Sequence, residues 1–327
     1  MVIIMDFSSF ASALCGIAGV TAAGSFIGAY TLFNRTIPRQ VKVRVDPESM
    51  ADGYKWKDYY KMIGERKEKL YRRKCENISV RSRDDIELRG YYYAADGNPD
   101  TIVIASHGYT SKALDDIPAI GCFFLDDGYD LLAVDNRAHG NSGGEYVGFG
   151  ILDRYDLLGW IKYAHNRFPN KKIILYGVSM GGATVLMTSG FPEAQEFVSA
   201  IIADCAFTSP YEVFKHVLKT DYRLPEFPIM PIADKLCAAK AGYRFSDYST
   251  LDAMKTNKIP ILFLHGADDD FVPTDMSREN YAACKAPKKL LIIEGAGHAG
   301  AYYENHTLVD ETIREFLKEN TSSRKGN

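Results

Sequence analysis

Lys172-Ile-Ile-Leu-Tyr176 is a short apolar run that leads into Gly177-Val178-Ser179-Met180-Gly181-Gly182 and then a helical stretch. A G-x-S-x-G pentapeptide between a strand and a helix puts its serine on a sharp, strained turn, where glycine is needed because a Cβ would strike neighbouring elements. A serine hydroxyl is a poor nucleophile until a base takes its proton, and that base needs a carboxylate to orient it. The chemistry such a set performs is acyl transfer.

Seven histidines are available, at 107, 139, 165, 216, 265, 298 and 306. His298, in Glu294-Gly-Ala-Gly-His298-Ala-Gly, directly follows the last predicted strand and is flanked by small residues that let its ring approach Ser179; His306, opening a polar helix, is its rival. For the acid, His265-Gly266-Ala267-Asp268-Asp269-Asp270-Phe271-Val272-Pro273 offers three adjacent aspartates, and extended backbone sends the middle one opposite to its neighbours. Asp204, at the end of the preceding strand, is the other location for such a carboxylate. Charge developing on a carbonyl oxygen needs donors. The N–H of Met180 is one; the second is expected from Ser106-His107-Gly108-Tyr109-Thr110, at the N–H of Tyr109. His107 reads as a structural residue shaping that loop.

These groups must be held by the elements between them. Strands are predicted at 78–81, 87–94, 101–106, 131–135, 172–176, 198–204, 259–265 and 289–293, with helices at about 115–125, 151–166, 180–190, 275–285 and 306–319. Runs such as Ile102-Val103-Ile104-Ala105, apolar throughout and separated by helices, predict a mainly parallel sheet buried on both faces. The interval 206–257 breaks the rhythm with four prolines and eight aromatic residues and predicts a lid over the sheet end.

The chain has 327 residues, 39 basic and 42 acidic, so the strongly basic surface needed for nucleic acid is missing. Its six cysteines, without a C-x-x-C pair, read as free thiols and fit a reducing compartment. No charge occurs from Phe7 to Asn34, 28 residues, against the roughly 20 a bilayer-spanning helix needs, and no basic residue precedes the run as a signal peptide would require. Thirteen basic and six acidic residues follow over 35–74. That asymmetry predicts a membrane-anchored, single-pass protein with its C-terminal part in the cytoplasm, the basic segment near anionic headgroups. Gly24-x-x-x-Gly28 is a weak signal for helix pairing.

Taken in order, Ser106-His-Gly-Tyr109, Asp135-Asn-Arg137-Ala-His139-Gly-Asn-Ser142-Gly, Gly177-Val-Ser179-Met-Gly-Gly182, His265-Gly-Ala-Asp-Asp269-Asp-Phe-Val-Pro273 and Gly297-His298 resemble the α/β-hydrolase family, especially bacterial esterase-like members with an N-terminal hydrophobic segment. The resemblance implies Asp269 as the acid, the fifth position of H-G-x-x-D-x-x-V-P, and Arg137 and His139 as scaffold. It implies an eight-stranded sheet flanked by helices over 76–320, with a small helical cap at 206–257. An N-terminal transmembrane anchor (1–34), a basic juxtamembrane segment (35–75) and a polar tail (321–327) complete the expected organisation. Gly295-Ala-Gly297-His-Ala-Gly300 mimics a dinucleotide fingerprint, but the βαβ unit it requires does not follow it. No cofactor and no metal are expected. The sequence thus predicts a serine hydrolase using Ser179, His298 and Asp269, with Met180 and Tyr109 donors, on small acyl or aryl esters, lipid-derived ones among them. Thioesterase, peptidase and non-catalytic scaffold are the alternatives.

Overall fold

The structure, a computed structural model, describes residues 23–39, 56–97 and 99–321. Among these, eight strands form one sheet: β1 (Glu76–Arg81), β2 (Glu87–Tyr93), β3 (Thr101–Ser106), β4 (Asp130–Val134), β5 (Lys172–Val178), β6 (Val198–Asp204), β7 (Ile261–Gly266) and β8 (Lys288–Ile293). Their spatial order is β1-β2-β4-β3-β5-β6-β7-β8, antiparallel at the first two pairings and parallel from β4 onward. The helices are α1 (described over 23–36), α2 (Trp56–Tyr71), α3 (Ala113–Asp116), α4 (Pro118–Asp126), α5 (Asp153–Arg167), α6 (Met180–Thr188) and α7 (Pro192–Phe197). After them come α8 (Pro210–Thr220), α9 (Glu226–Ala241), α10 (Thr250–Met254), α11 (Thr274–Ala283), α12 (Ala301–Glu304) and α13 (His306–Thr321).

Alternation along each strand divides the core. Val103 and Ala105 of β3 join Ile174 and Tyr176 of β5 beneath α4 and α13, whereas Ile102, Ile104, Ile173 and Leu175 pack under α5, α6 and α10. A strand covered on both faces has no polar side to present, which is why these runs are apolar throughout. The parallel strands all end at one edge, and the loops leaving that edge carry the predicted site residues.

The insertion between β6 and β7 is helical, as expected, and has its own core of Phe207, Phe214, Tyr243 and Phe245. That core also takes in Ala29, Leu32 and Phe33 of α1, all at most 8% exposed. A Cβ on Gly28 would lie 3.4 Å from Ile229 of α9, so Gly28 meets the cap rather than a second anchor helix. Arg39, expected near lipid headgroups, instead donates to the carbonyls of Ser142 (2.6 Å) and Gly140 (2.7 Å). Among the described residues no helix is long and apolar enough to cross a membrane. Over 23–36 the expected N-terminal transmembrane helix therefore finds no support: absence of charge marks burial against protein as well as burial in lipid, and one face of this stretch is taken by the cap. Residues 1–22, Lys42, Arg44, Lys55 and the tail 322–327 lie outside the described residues.

The basic run after α1 is partly spent on structure. In α2, Leu70 is fully buried in the core under α4 and Lys67 pairs with Asp115 at 2.8 Å; just beyond it Arg73 pairs with Asp126 at 3.2 Å. The described cysteines, Cys75, Cys122, Cys205, Cys237 and Cys284, are free thiols.

Candidate active site

Ser179 sits between β5 and α6 at φ 55° and ψ −114°, a conformation that costs a non-glycine residue about 1–3 kcal/mol. Tight packing enforces it. A Cβ on Gly177 would collide with the carbonyl oxygen of Gly181, and one on Gly181 with that of Ser106, so β3, β5 and α6 meet at the turn without side chains between them. The Ser179 N–H donates to the Asp204 carbonyl at 2.8 Å, which pins the turn to β6.

His298 and Asp269 reach Ser179 from the loops after β8 and β7. At the end of β7, a Cβ on Gly266 would strike the carbonyl of Ala296, so the two loops touch backbone to backbone. His298 Nε2 lies 2.9 Å from Ser179 Oγ and its Nδ1 lies 2.7 Å from Asp269 Oδ2. A carboxylate accepts, so Nδ1 carries the hydrogen and the Nε2 lone pair faces the serine hydroxyl. The rival histidine, His306, stands at the start of α13 with its ring 6.3 Å from that of Tyr302. Asp269 is 6% exposed, whereas Asp268 and Asp270 are turned outward. The pleat argument therefore singles out the same aspartate as the motif.

Asp269 is more heavily bonded than the sequence indicates. Its Oδ1 accepts from the N–H groups of Phe271 (3.1 Å) and Val272 (2.8 Å). Its Oδ2 accepts from His298 and also from Nε2 of His265, at 3.0 Å, a fully buried ring whose Nδ1 accepts from the Ser277 hydroxyl at 2.6 Å. Burial alone would raise the Asp269 carboxyl; the hydrogen bonds from His265 and His298 outweigh it and hold it at about 2. His265 is the functional-site residue that sequence reading missed, although it opens the H-G-x-x-D segment.

Met180 begins α6, and an amide in the first turn of a helix has no carbonyl partner within that helix. In the facing loop, Gly108 N–H donates to Asp116 Oδ2 at 2.9 Å and Thr110 N–H to His139 Nε2 at 3.3 Å. These bonds hold both neighbours of Tyr109, and a Cβ on Gly108 would lie 3.5 Å from that of Ser179, so the loop abuts the serine. The Tyr109 hydroxyl donates to the carbonyls of Thr36 (3.0 Å) and Arg35 (3.2 Å), tying α1 to the same loop. His107 bridges the Gly108 carbonyl and the Asn136 N–H; His139, lowered to about 3 mainly by burial, is held neutral. Arg137 is 3% exposed and forks onto Asp156 at 2.6 and 2.7 Å. All three brace the loops around Ser179.

A cavity of about 660 Å³ opens over Ser179 and His298, within the usual size for a small-molecule site. Its walls come from α2 (Tyr60, Ile63), from the segment 108–120 and from Tyr302 and Tyr303 of α12. The predicted lid is absent from this lining: Phe207, Phe214, Tyr243 and Phe245 of 206–257 pack in one core with α1, Tyr222 and Phe227 are exposed, and α2 supplies the cover. The cap touches the site indirectly, through a 2.9 Å bond from His216 Nε2 to the Asp270 carbonyl. Among the described residues one trio could hold a metal ion, Cys205, Asp269 and His298, with ligand atoms within 4.8 Å of one another. Two of the three are the groups bonded in line with Ser179, so a metal there would draw His298 away from the serine.

The family model described as serine aminopeptidase, S33, matches residues 97–223, and that described as TAP-like protein matches 232–327. The Bacillus subtilis protein YqkD is 34% identical over 232 residues, 71% of this chain and 75% of that one. Protein bem46 of Schizosaccharomyces pombe is 23% identical over 224 residues, 68% of this chain and 69% of its own. Among solved structures, the Pyrococcus furiosus esterase Pf2001 aligns with a TM-score of 0.63 at 23% identity, over 84% of this chain and 97% of the esterase. Est1E from Butyrivibrio proteoclasticus, with ferulic acid bound, aligns with a TM-score of 0.57 at 20% identity, over 75% and 100%. With that relative, those family models, this strand order and a serine on the turn between β5 and α6, the chain belongs to the α/β-hydrolase family.

Proposed function

We propose that this protein is a serine hydrolase that cleaves carboxylic esters through an acyl-enzyme on Ser179. The observation that carries the reading is the unbroken bond path Ser179 Oγ, His298 Nε2, His298 Nδ1, Asp269 Oδ2. In the first half-reaction Oγ attacks the ester carbonyl while its proton moves to His298 Nε2, and that proton then leaves with the alcohol. Water attacks the acyl-enzyme in the second half, again giving its proton to Nε2, and releases the acid. Asp269, ionised at all working pH values, offsets the charge of the imidazolium. The N–H groups of Met180 and Tyr109 receive the oxyanion. The mixed apolar and tyrosine lining suits an acyl or aryl group of moderate size, with Ile63, Ala119, Ile120 and Phe271 as its apolar part.

The esterases among its structural neighbours support an ester substrate, and the serine aminopeptidase match is the reason to assay amides beside it. Hydrolysis of p-nitrophenyl esters of increasing acyl length by the full chain tests the proposal. Turnover with a defined length optimum is expected, falling about a thousandfold or more in Ser179→Ala. Turnover confined to thioesters or aminoacyl amides of the same acyl groups would move the assignment to those leaving groups.

A further inference from the structure

One carboxyl in the cavity is used by none of these steps. Asp204 ends β6 beside Val178 of β5, and its own carbonyl holds the Ser179 amide, so it stands next to the nucleophile on the cavity side of the sheet. It is 2% exposed. Its Oδ2 meets only the Tyr176 hydroxyl, at 3.4 Å, and its Oδ1 has no hydrogen-bond partner. A buried carboxylate oxygen without a donor is a costly arrangement, and such groups occur where a ligand completes them. Burial pushes this carboxyl up to about 6, with the negative charge of Asp269 adding to the rise and His265 and His298 opposing it.

The surroundings indicate which ligand would complete it. Asp116 faces the same space, accepting from Gly108 N–H and from the Ser111 hydroxyl, and the phenol of Tyr303 is raised chiefly by burial, with Asp116 and Asp204 adding to the rise. The basic side chain on the cavity wall, Lys67, is paired with the third aspartate, Asp115. Tyr176 and Tyr303 add aromatic rings, which attract cations as carboxylates do. An anion would meet this wall with repulsion, and a neutral hydrocarbon would leave Asp204 unsatisfied.

We propose that Asp204, with Asp116 and the rings of Tyr176 and Tyr303, forms a subsite for an ammonium group on the substrate, beside the reacting ester. The inference rests on the esterase reading for its orientation, but not for its test. An N–H donor of the ammonium group fills the vacant Oδ1 with a charge-assisted bond to a partner of opposite sign. Esters of amine-bearing acids or alcohols are then preferred over their neutral isosteres.

Calorimetric titration of the full chain at pH 7.5 with n-hexylammonium chloride, beside 1-hexanol as the uncharged counterpart, decides the matter without any turnover. The ammonium ion is expected to bind at least about tenfold tighter than the alcohol, with that advantage lost in Asp204→Asn and reduced several-fold in Asp116→Asn, a half-buried position that keeps the fold testable if the first variant fails to fold. Equal binding of the two probes, or an ammonium advantage untouched by the substitutions, overturns the subsite. If the ester assays fail while this advantage holds, the esterase reading falls and the subsite stands. If hydrolysis proceeds and the advantage is missing, the reverse is true.

Discussion

Asp269 and Asp204 are the same residue type, both almost fully buried at the same edge of one sheet, and their carboxyls are driven in opposite directions, to about 2 and to about 6. Asp269 accepts from four donors: two backbone amides of the loop after β7, the imidazole of His265 in β7 and that of His298 in the loop after β8. The end of β6 gives Asp204 a single distant hydroxyl. Burial is common to both and cannot explain the difference; the number of donors can. A carboxylate saturated with donors is fixed in charge and direction, which orienting a base requires. One left short of them is poised for something that arrives from solution.

Neutralising the saturated aspartate should have the largest effect. Asp269→Asn should lower kcat for p-nitrophenyl esters by about 10⁴-fold, because the amide can neither fix the Nδ1–H tautomer of His298 nor offset its imidazolium charge. Stopped assays at high enzyme concentration would read the loss, and a decline below about tenfold would mean that another carboxylate serves.

A smaller effect is expected one bond further out. His265→Leu removes a donor from Asp269 Oδ2, and the loss of a bond to a charged group is worth about 1.5–3 kcal/mol. We expect kcat to fall at least about tenfold with KM unchanged and the acid limb of the pH profile displaced. His265→Gln, which can return an N–H near the Nε2 position, should recover part of it. Equal loss in both variants, with unchanged pH profiles, would reduce His265 to a packing residue.

Stability should separate the two aspartates by sign. The depressed carboxyl of Asp269 contributes stability that is present above its unfolded value near 4 and is lost as pH falls from there to about 2. The raised carboxyl of Asp204 does the opposite: its contribution is present below about 4 and is lost as pH rises to about 6, so the ionised residue costs stability at neutral pH. Thermal melts should therefore find Asp204→Asn a few degrees more stable than the parent at pH 7.5, with the gap closing below pH 4. A variant that melts lower at neutral pH would show that Asp204 is structurally required. Least of all, Ile63→Ala on α2 should raise KM for the longest acyl esters by on the order of threefold, through lost apolar contact. No change there, with a change on trimming Phe214 instead, would return the cover of the cavity to the cap.

Much of this was legible in the residues. Each expected strand begins and ends within two residues of the observed one, and from β3 onward the reason is that buried parallel strands are short apolar runs cut off by glycine and polar loops. Ser179, His298 and Asp269 were legible because the turn, the small residues and the pleat constrain them locally. His265 was not: its bond to Asp269 depends on the loop folding back through Val272, which no periodicity records. Asp204 could be read as an alternative acid position, but its lack of donors is a property of what surrounds it in space. For the N-terminal run, hydropathy reports burial without naming the neighbour, and only 23–36 of it lies among the described residues. Ala29, Leu32 and Phe33 are buried by the cap.

Everything proposed for catalysis passes through the covalent step at Ser179. Rapid acid quenching during turnover of a p-nitrophenyl ester, followed by peptide mass spectrometry, tests it most directly. An acyl mass is expected on the peptide that carries Ser179, at up to one group per chain, and none in Ser179→Ala. Undiminished hydrolysis in Ser179→Ala, or acylation at another residue, would contradict it.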